Sequence, residues 1–172
     1  MREMGKNVLY IAASLDGYIA REDGSVDWLD DVEGDGTDNG YLAFYETVDS
    51  LLMGRGTYEK VLELTDDFPY SGKKCYVLSR TMKGRTEEIV FTDEPLPDVL
   101  EKAEGTVWVV GGGQIVKECL VHDLLDDVHI AVIPKVLGRG IPLFPPGTEA
   151  SFSLVDVEKI GDIVSIHYKR KD

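Results

Sequence analysis

Two glycine-bearing turns carry the clearest chemistry in this 172-residue chain. In one, Thr106 to Val116 reads TVWVVGGGQIV: an apolar, strand-like run breaks into Gly111, Gly112 and Gly113 where a helical pattern opens with Gln114 and Ile115. Glycines at such a junction let backbone N–H groups approach an anion, with the positive end of a helix dipole behind them. Val116 stands where the dinucleotide fingerprint has Gly or Ala, so a plain tight turn is the competing reading. In the other, Met53 to Glu59 reads MGRGTYE. Between and after Gly54 and Gly56 it offers Arg55 to clamp a phosphate oxygen and Thr57 to cap the helix. A plain capped turn is the alternative there. Two anion-friendly turns in one small chain suit a ligand with more than one phosphate, such as a dinucleotide.

A third segment, Ser71 to Thr86, has Lys73, Lys74, Arg80, Lys83 and Arg85 and no acid, in a chain of net charge −14. Lying around a strand that ends in Ser79, it suits a ribose-bound phosphate and therefore NADPH over NADH, with a solvated basic loop as the alternative. Asp31, Glu33, Asp35 and Gly36 fall at calcium-loop positions. However, Leu42 occupies the place of the bidentate glutamate and no helix pair flanks the loop, which argues against calcium and leaves no metal site. Asp38 precedes the helical run GYLAFYETV, where a carboxylate caps the helix or meets the edge of an amidine-like or pterin-like ring. His122, His129 and His167 stand in no motif and read as structural. No serine-histidine-aspartate order or Walker loop is present, which ranks hydrolases and nucleoside triphosphatases low.

The elements that must position these groups alternate. Periodicity predicts strands over Asn7–Ala13, Ser50–Gly54, Lys74–Ser79, Glu88–Phe91, the Thr106 run and Val128–Ile133. It predicts helices over Gly40–Val48 and Thr57–Leu64, a short one opened by Pro97 and Asp98, and one over Gln114–Val121. This order predicts an α/β fold with a largely parallel sheet. Phe152–Lys159 and Ile163–Arg170 around Gly161 and Asp162 predict an antiparallel hairpin closing it. The long segments Arg21–Asn39 and Pro134–Ser151 have the length of lids or binding loops.

The length suits one domain spanning 1–172. The acidic charge argues against nucleic-acid binding, and no segment approaches a membrane span. The N-terminal apolar run lacks a signal-cleavage site, so a cytoplasmic protein is expected. Cys75 and Cys119 read as buried thiols.

Taken in order, Ile11 to Ala20 (IAASLDGYIA), Asp49 to Glu59 (DSLLMGRGTYE), Val77-Leu78-Ser79-Arg80 and Val109 to Val116 (VVGGGQIV) resemble the dihydrofolate reductase-like fold. Specifically, the chain is similar, from about Val8 to Tyr168, to the reductase domain of bacterial riboflavin-biosynthesis deaminase-reductase proteins. The resemblance implies a three-layer α/β/α fold with a mostly parallel central sheet. It also implies an NADPH-dependent reductase of the 5-amino-6-(5-phosphoribosylamino)uracil reductase kind, acting on a small heterocyclic metabolite. Arg55, Gly56, Thr57, Leu78, Ser79 and Arg80 would then hold the adenosine 2′-phosphate end, with Gly54 in the same turn. Gly111, Gly112, Gly113, Gln114 and Ile115 would take the pyrophosphate, and Ala12 and Ala13 the nicotinamide under a lid beginning near Asp16. Asp16, Tyr18 and Trp28 would shape the substrate pocket, and Asp38 would orient or protonate the substrate. Folate is disfavoured because Lys73 stands where a folate reductase has its carboxylate-clasping arginine, and lysine gives no planar two-point grip. Pterin reduction and a non-catalytic NADPH-binding module are the alternatives. Relatives of this kind imply a homodimer.

Overall fold

The structure, a computed structural model, describes residues 5–30, 32, 40–65, 68–70, 72–82, 84–85 and 88–171. Its first strand, β1 (Asn7–Ser14), is apolar on both faces, as an interior parallel strand must be, and it lies near the middle of the main sheet. On one side β1 pairs in parallel with β7 (Val107–Gly111), and beyond it follow β3 (Ser50–Gly54), β4 (Lys74–Leu78) and β6 (Ile89–Thr92), all parallel. On the other side it pairs in parallel with β8 (Asp127–Ile133). The predicted hairpin, β10 (Phe152–Ile160) and β11 (Ile163–Arg170), then adds to β8 in antiparallel sense and leaves β10 at the edge. A two-residue strand, β5 (Gly84–Arg85), adds an antiparallel strand at the other edge. Strands this short lie below the reach of sequence periodicity.

Helices cover both faces. The side chains of Leu9, Leu52, Val107 and Val109 are fully buried against α3 (Leu96–Lys102) and α4 (Gly113–Val121), through Leu96, Val99, Val116 and Cys119. Burying each such aliphatic side chain contributes about 1.5–3 kcal/mol. Alternation along the strands sends Leu51, Met53, Cys75, Val77 and Trp108 to the opposite face. There α1 (Tyr41–Glu46) and α2 (Arg55–Leu64) pack on them with Phe44, Tyr45 and Tyr58. A smaller cluster of Trp28, Ile133, Ile160 and Ile163 extends that layer toward the hairpin. The result is the expected three-layer α/β/α arrangement. Both cysteines are free and buried, and burial pushes each thiol up to about 12.

Two short strands were not expected. β2 (Tyr18–Ala20) and β9 (Ile141–Pro142) form a separate two-stranded sheet that joins the loop after β1 to the long segment after β8. Among the described residues no helix is long and apolar enough to cross a membrane.

Candidate functional site

The two glycine turns meet at one end of the sheet because β3 and β7 are parallel neighbours, with Met53 opposite Gly111. Helix α2 begins at Arg55, two residues earlier than predicted, so Gly54 is its N-cap and no side chain caps it. Thr57 therefore does not cap the helix. Its Oγ1 lies 3.5 Å from where a Cβ on Gly112 would stand, which turns it toward the other glycine turn. Helix α4 starts at Gly113 with Gly112 as N-cap, so the amides of both helix starts open at the same place. The Gly111–Gly112 peptide is cis and Gly111 has φ 126°. A Cβ on Gly113 would sit 2.9 Å from the carbonyl oxygen of Pro142, so this position admits hydrogen only. Ile115 packs beneath Gly54, with Cγ1 3.4 Å from its would-be Cβ, and Gln114 is exposed on the first turn.

At the ends of β3 and β4 the expected phosphate-binding residues also gather. Gly54 pairs with Leu78, and the buried Ser79 follows. Ser79 Oγ accepts hydrogen bonds from the amides of Thr81 (3.2 Å) and Met82 (2.9 Å), making a tight loop. The Arg55 guanidinium reaches Thr81 Oγ1 at 2.9 Å and Glu59 at 2.7 Å. Arg80 and Gly56 are exposed beside it. Arg55, Thr57, Ser79 and Arg80 are thus contributed by adjoining turns, although Glu59 competes for the arginine.

The basic run does not form one patch. Lys74 starts β4 and Leu78 ends it, and five extended residues span roughly 16 Å. Lys73 and Lys74 accordingly sit at the opposite end from Arg80. Lys73 Nζ donates to the carbonyl of Val48 at 2.6 Å and rests 4.6 Å above the Tyr45 ring, and Lys74 lies over Tyr76.

Next to the glycine turn a cavity of about 550 Å³ opens on the α1 side of the sheet. Val110, the residue before Gly111, is in its wall, and Ile11 in the same wall is 3.7 Å from the would-be Cβ of Gly111. Tyr10, Tyr41, Tyr70 and Trp108 make an aromatic side, braced by stacking of Tyr10 on Phe44 at 3.9 Å. The opposing side is aliphatic, built from the hairpin and the segment after β2. Burial pushes the Tyr41 hydroxyl up to about 12, helped by Tyr45 and Tyr10. His129 is the titratable base in the wall; burial, and then the neighbouring His167, hold it down to about 4, so it is neutral near pH 7. The His129 ring stacks on His167 at 3.8 Å, and His167 Nε2 meets Asp127 at 2.9 Å with Lys6 on the same carboxylate.

The expected substrate-side residues divide. Ala12 lines the cavity, whereas Ala13 is buried on the α4 side, as strand alternation requires. Asp16 does not face the cavity. Its carboxylate accepts hydrogen bonds from Ser14 Oγ (2.5 Å) and from the amides of Leu137 (3.2 Å) and Gly138 (2.8 Å), which lowers its pKa, the serine bond most of all. Tyr18 lies on β2, beside Gly140, while its neighbour Ile19 lines the cavity in its place. Trp28 is 2% exposed within the cluster behind the wall, its indole N–H without a partner among the described residues. Asp38 lies outside the described residues. His129, read from sequence as structural, belongs to the cavity wall. The signal for it was the alternation of His129, Ala131 and Ile133, a polar residue in phase with the cavity-facing positions of β8.

Among the described residues no cluster of acids, histidines and cysteines is arranged to hold a metal. The chain is 46% identical over 171 residues to the uncharacterised protein YwjB of Bacillus subtilis strain 168, covering 96% of this chain and 98% of that one. A crystal structure of a putative riboflavin biosynthesis protein from Shewanella sp. PV-4 superposes with a TM-score of 0.87 at 34% identity, over 97% of this chain and 99% of that one. The diaminohydroxyphosphoribosylaminopyrimidine deaminase/5-amino-6-(5-phosphoribosylamino)uracil reductase of Thermotoga maritima shares the fold, with a TM-score of 0.70 at 20% identity over 98% of this chain and 57% of its own. With residues 6–166 matched to the RibD C-terminal domain, the chain belongs to the RibD C-terminal domain family.

Proposed function

We propose that this protein is an NADPH-dependent reductase of a small heterocyclic metabolite. The observation that carries the reading is the meeting of two glycine turns, Gly54–Thr57 and Gly111–Gly113, beside one aromatic cavity. The residues present fit the cofactor: Gly56, in the first turn of α2, is exposed with nothing within 4 Å of where a Cβ would stand, so the backbone there lies open to an anion, as close approach of a phosphate needs. Gly111–Ile115 would hold the pyrophosphate, and Arg55, Gly56, Thr57, Leu78, Ser79 and Arg80 the ribose phosphate. Ala12 would border the nicotinamide. When bound, the dihydronicotinamide supplies a hydride to a C=N or C=O carbon, and a proton completes the reduction at the heteroatom.

The chain's own contribution is positioning and exclusion of water. The aromatic side of the cavity stacks a flat ring, the neutral His129 offers it a hydrogen bond, and β2 and β9 close over the turn. Asp38 is the residue we assign to orienting or protonating the substrate. A second copy of the chain would pair along β10, whose outer edge carries exposed Leu154, Val155 and Val157.

Calorimetric titration with NADPH, NADP⁺ and NADH at fixed salt tests the proposal. Tight binding of NADPH with weak binding of NADH supports it, and failure of all three to bind overturns it.

A further inference from the structure

The cavity has a charge bias. Among the described residues its wall contains no lysine or arginine, and its polar side-chain atoms come from tyrosines, the indole of Trp108, His129 and Ser165. Nearby cations are engaged elsewhere: Lys73 on the Val48 carbonyl and the Tyr45 ring, Lys6 on Asp127. The Trp108 indole N–H is already given to the carbonyl of Tyr10 at 3.0 Å. A phosphate carried into this space would lose its water without gaining a cation, whereas a flat ring would gain stacking on several faces. Basic side chains do occur on this molecule where phosphate is expected, at Arg55 and Arg80, so their absence from the cavity wall separates the two halves of the site by charge.

We propose that the cavity takes a planar, unphosphorylated heterocycle with no anionic tail, stacked on the Tyr10, Tyr41 and Trp108 side with one edge toward His129. The proposal rests on the reductase reading for its location, and it departs from the phosphorylated pyrimidine in the name of the Thermotoga maritima relative.

The test uses 5-amino-6-(5-phosphoribosylamino)uracil and the same compound after enzymatic dephosphorylation, handled anaerobically. Each is titrated into the full chain, with and without saturating NADP⁺, and read by quenching of tryptophan fluorescence, since Trp108 is in the wall. The dephosphorylated compound is expected to bind at least tenfold more tightly. Ala131→Arg, or Ser165→Arg should the first variant fail to fold, is expected to erase that preference by placing a cation in the wall. Equal or tighter binding of the phosphorylated compound, or no quenching with either, overturns the proposal. Binding of the dephosphorylated compound in a protein that takes up no nicotinamide cofactor would instead sink the reductase reading and leave the cavity assignment standing.

Discussion

Replacing Arg55 by alanine should weaken NADPH and leave NADH untouched, and the size of the effect can be worked from the contacts of the guanidinium. Its bonds are to Glu59 at 2.7 Å and Thr81 at 2.9 Å, with the arginine and glutamate side chains 49% and 50% exposed. An exposed pair at this helical spacing contributes only about 0.3–0.5 kcal/mol, so turning the arginine onto a phosphate sacrifices little. A hydrogen bond to a charged group contributes about 1.5–3 kcal/mol, and the exposure of this one puts it at the lower end. The net is about 1.0–1.2 kcal/mol, a roughly five- to eightfold rise in the Kd for NADPH. Glu59→Gln works in the opposite direction. It frees the arginine and removes a negative charge from the phosphate's surroundings, tightening NADPH roughly twofold. Calorimetry of both variants with both cofactors at about 0.1 M salt, where the screening length is about 10 Å, reads these changes. Equal losses for NADPH and NADH in Arg55→Ala, or weaker NADPH binding in Glu59→Gln, would refute the placement of the 2′-phosphate.

Gly113→Ala drives a Cβ to 2.9 Å from a backbone carbonyl that cannot rotate away, which should cost about 1–3 kcal/mol and lower the Tm by several degrees in calorimetry. An unchanged Tm would mean that β9 yields freely. For His129 the unfolded chain takes up its proton near pH 6.5 while the folded chain waits until about 4. The stability contribution is therefore complete above pH 6.5 and is lost as the pH falls from there toward 4. Urea midpoints measured across that range should fall less steeply for His129→Phe than for the unaltered protein, and parallel curves would count against the burial argument. Val157→Lys sets a charge on the open edge strand β10 and should convert the proposed dimer into a monomer in sedimentation velocity; identical boundaries for both proteins would exclude this edge as the interface.

Where information is local, the sequence announced the structure. The strand ends at Gly54 and Gly111 were visible because a glycine after an apolar run is a steric statement about the backbone itself. The hairpin was visible because Gly161 and Asp162 separate two β-rich runs, and the register indeed sets Ile160 opposite Ile163. Facing was harder to read. Asp16 and Tyr18 lie in a motif expected to touch substrate, yet Asp16 is turned to amides of residues more than a hundred positions away. That partnership depends on the path of the chain after β8, which no local pattern encodes. Trp28 was expected beside a ligand because the resemblance puts it in a substrate loop, but burial against Ile133, Ile160 and Ile163 claims it for the core. The basic run was divided because a strand carries its two ends apart, a matter of length that composition does not express.

The loop after β1 and the first part of the segment after β8, as far as Leu143, are bound to one another repeatedly. The amide of Leu15 donates to Lys135, those of Leu137 and Gly138 to Asp16, and that of Leu143 to Gly17, while β2 and β9 pair alongside. Grafting either loop alone from another protein would therefore strand half of these partners. Exchange of substrate range within this fold, by a protein engineer or by descent, has to move the two loops together as a single cassette.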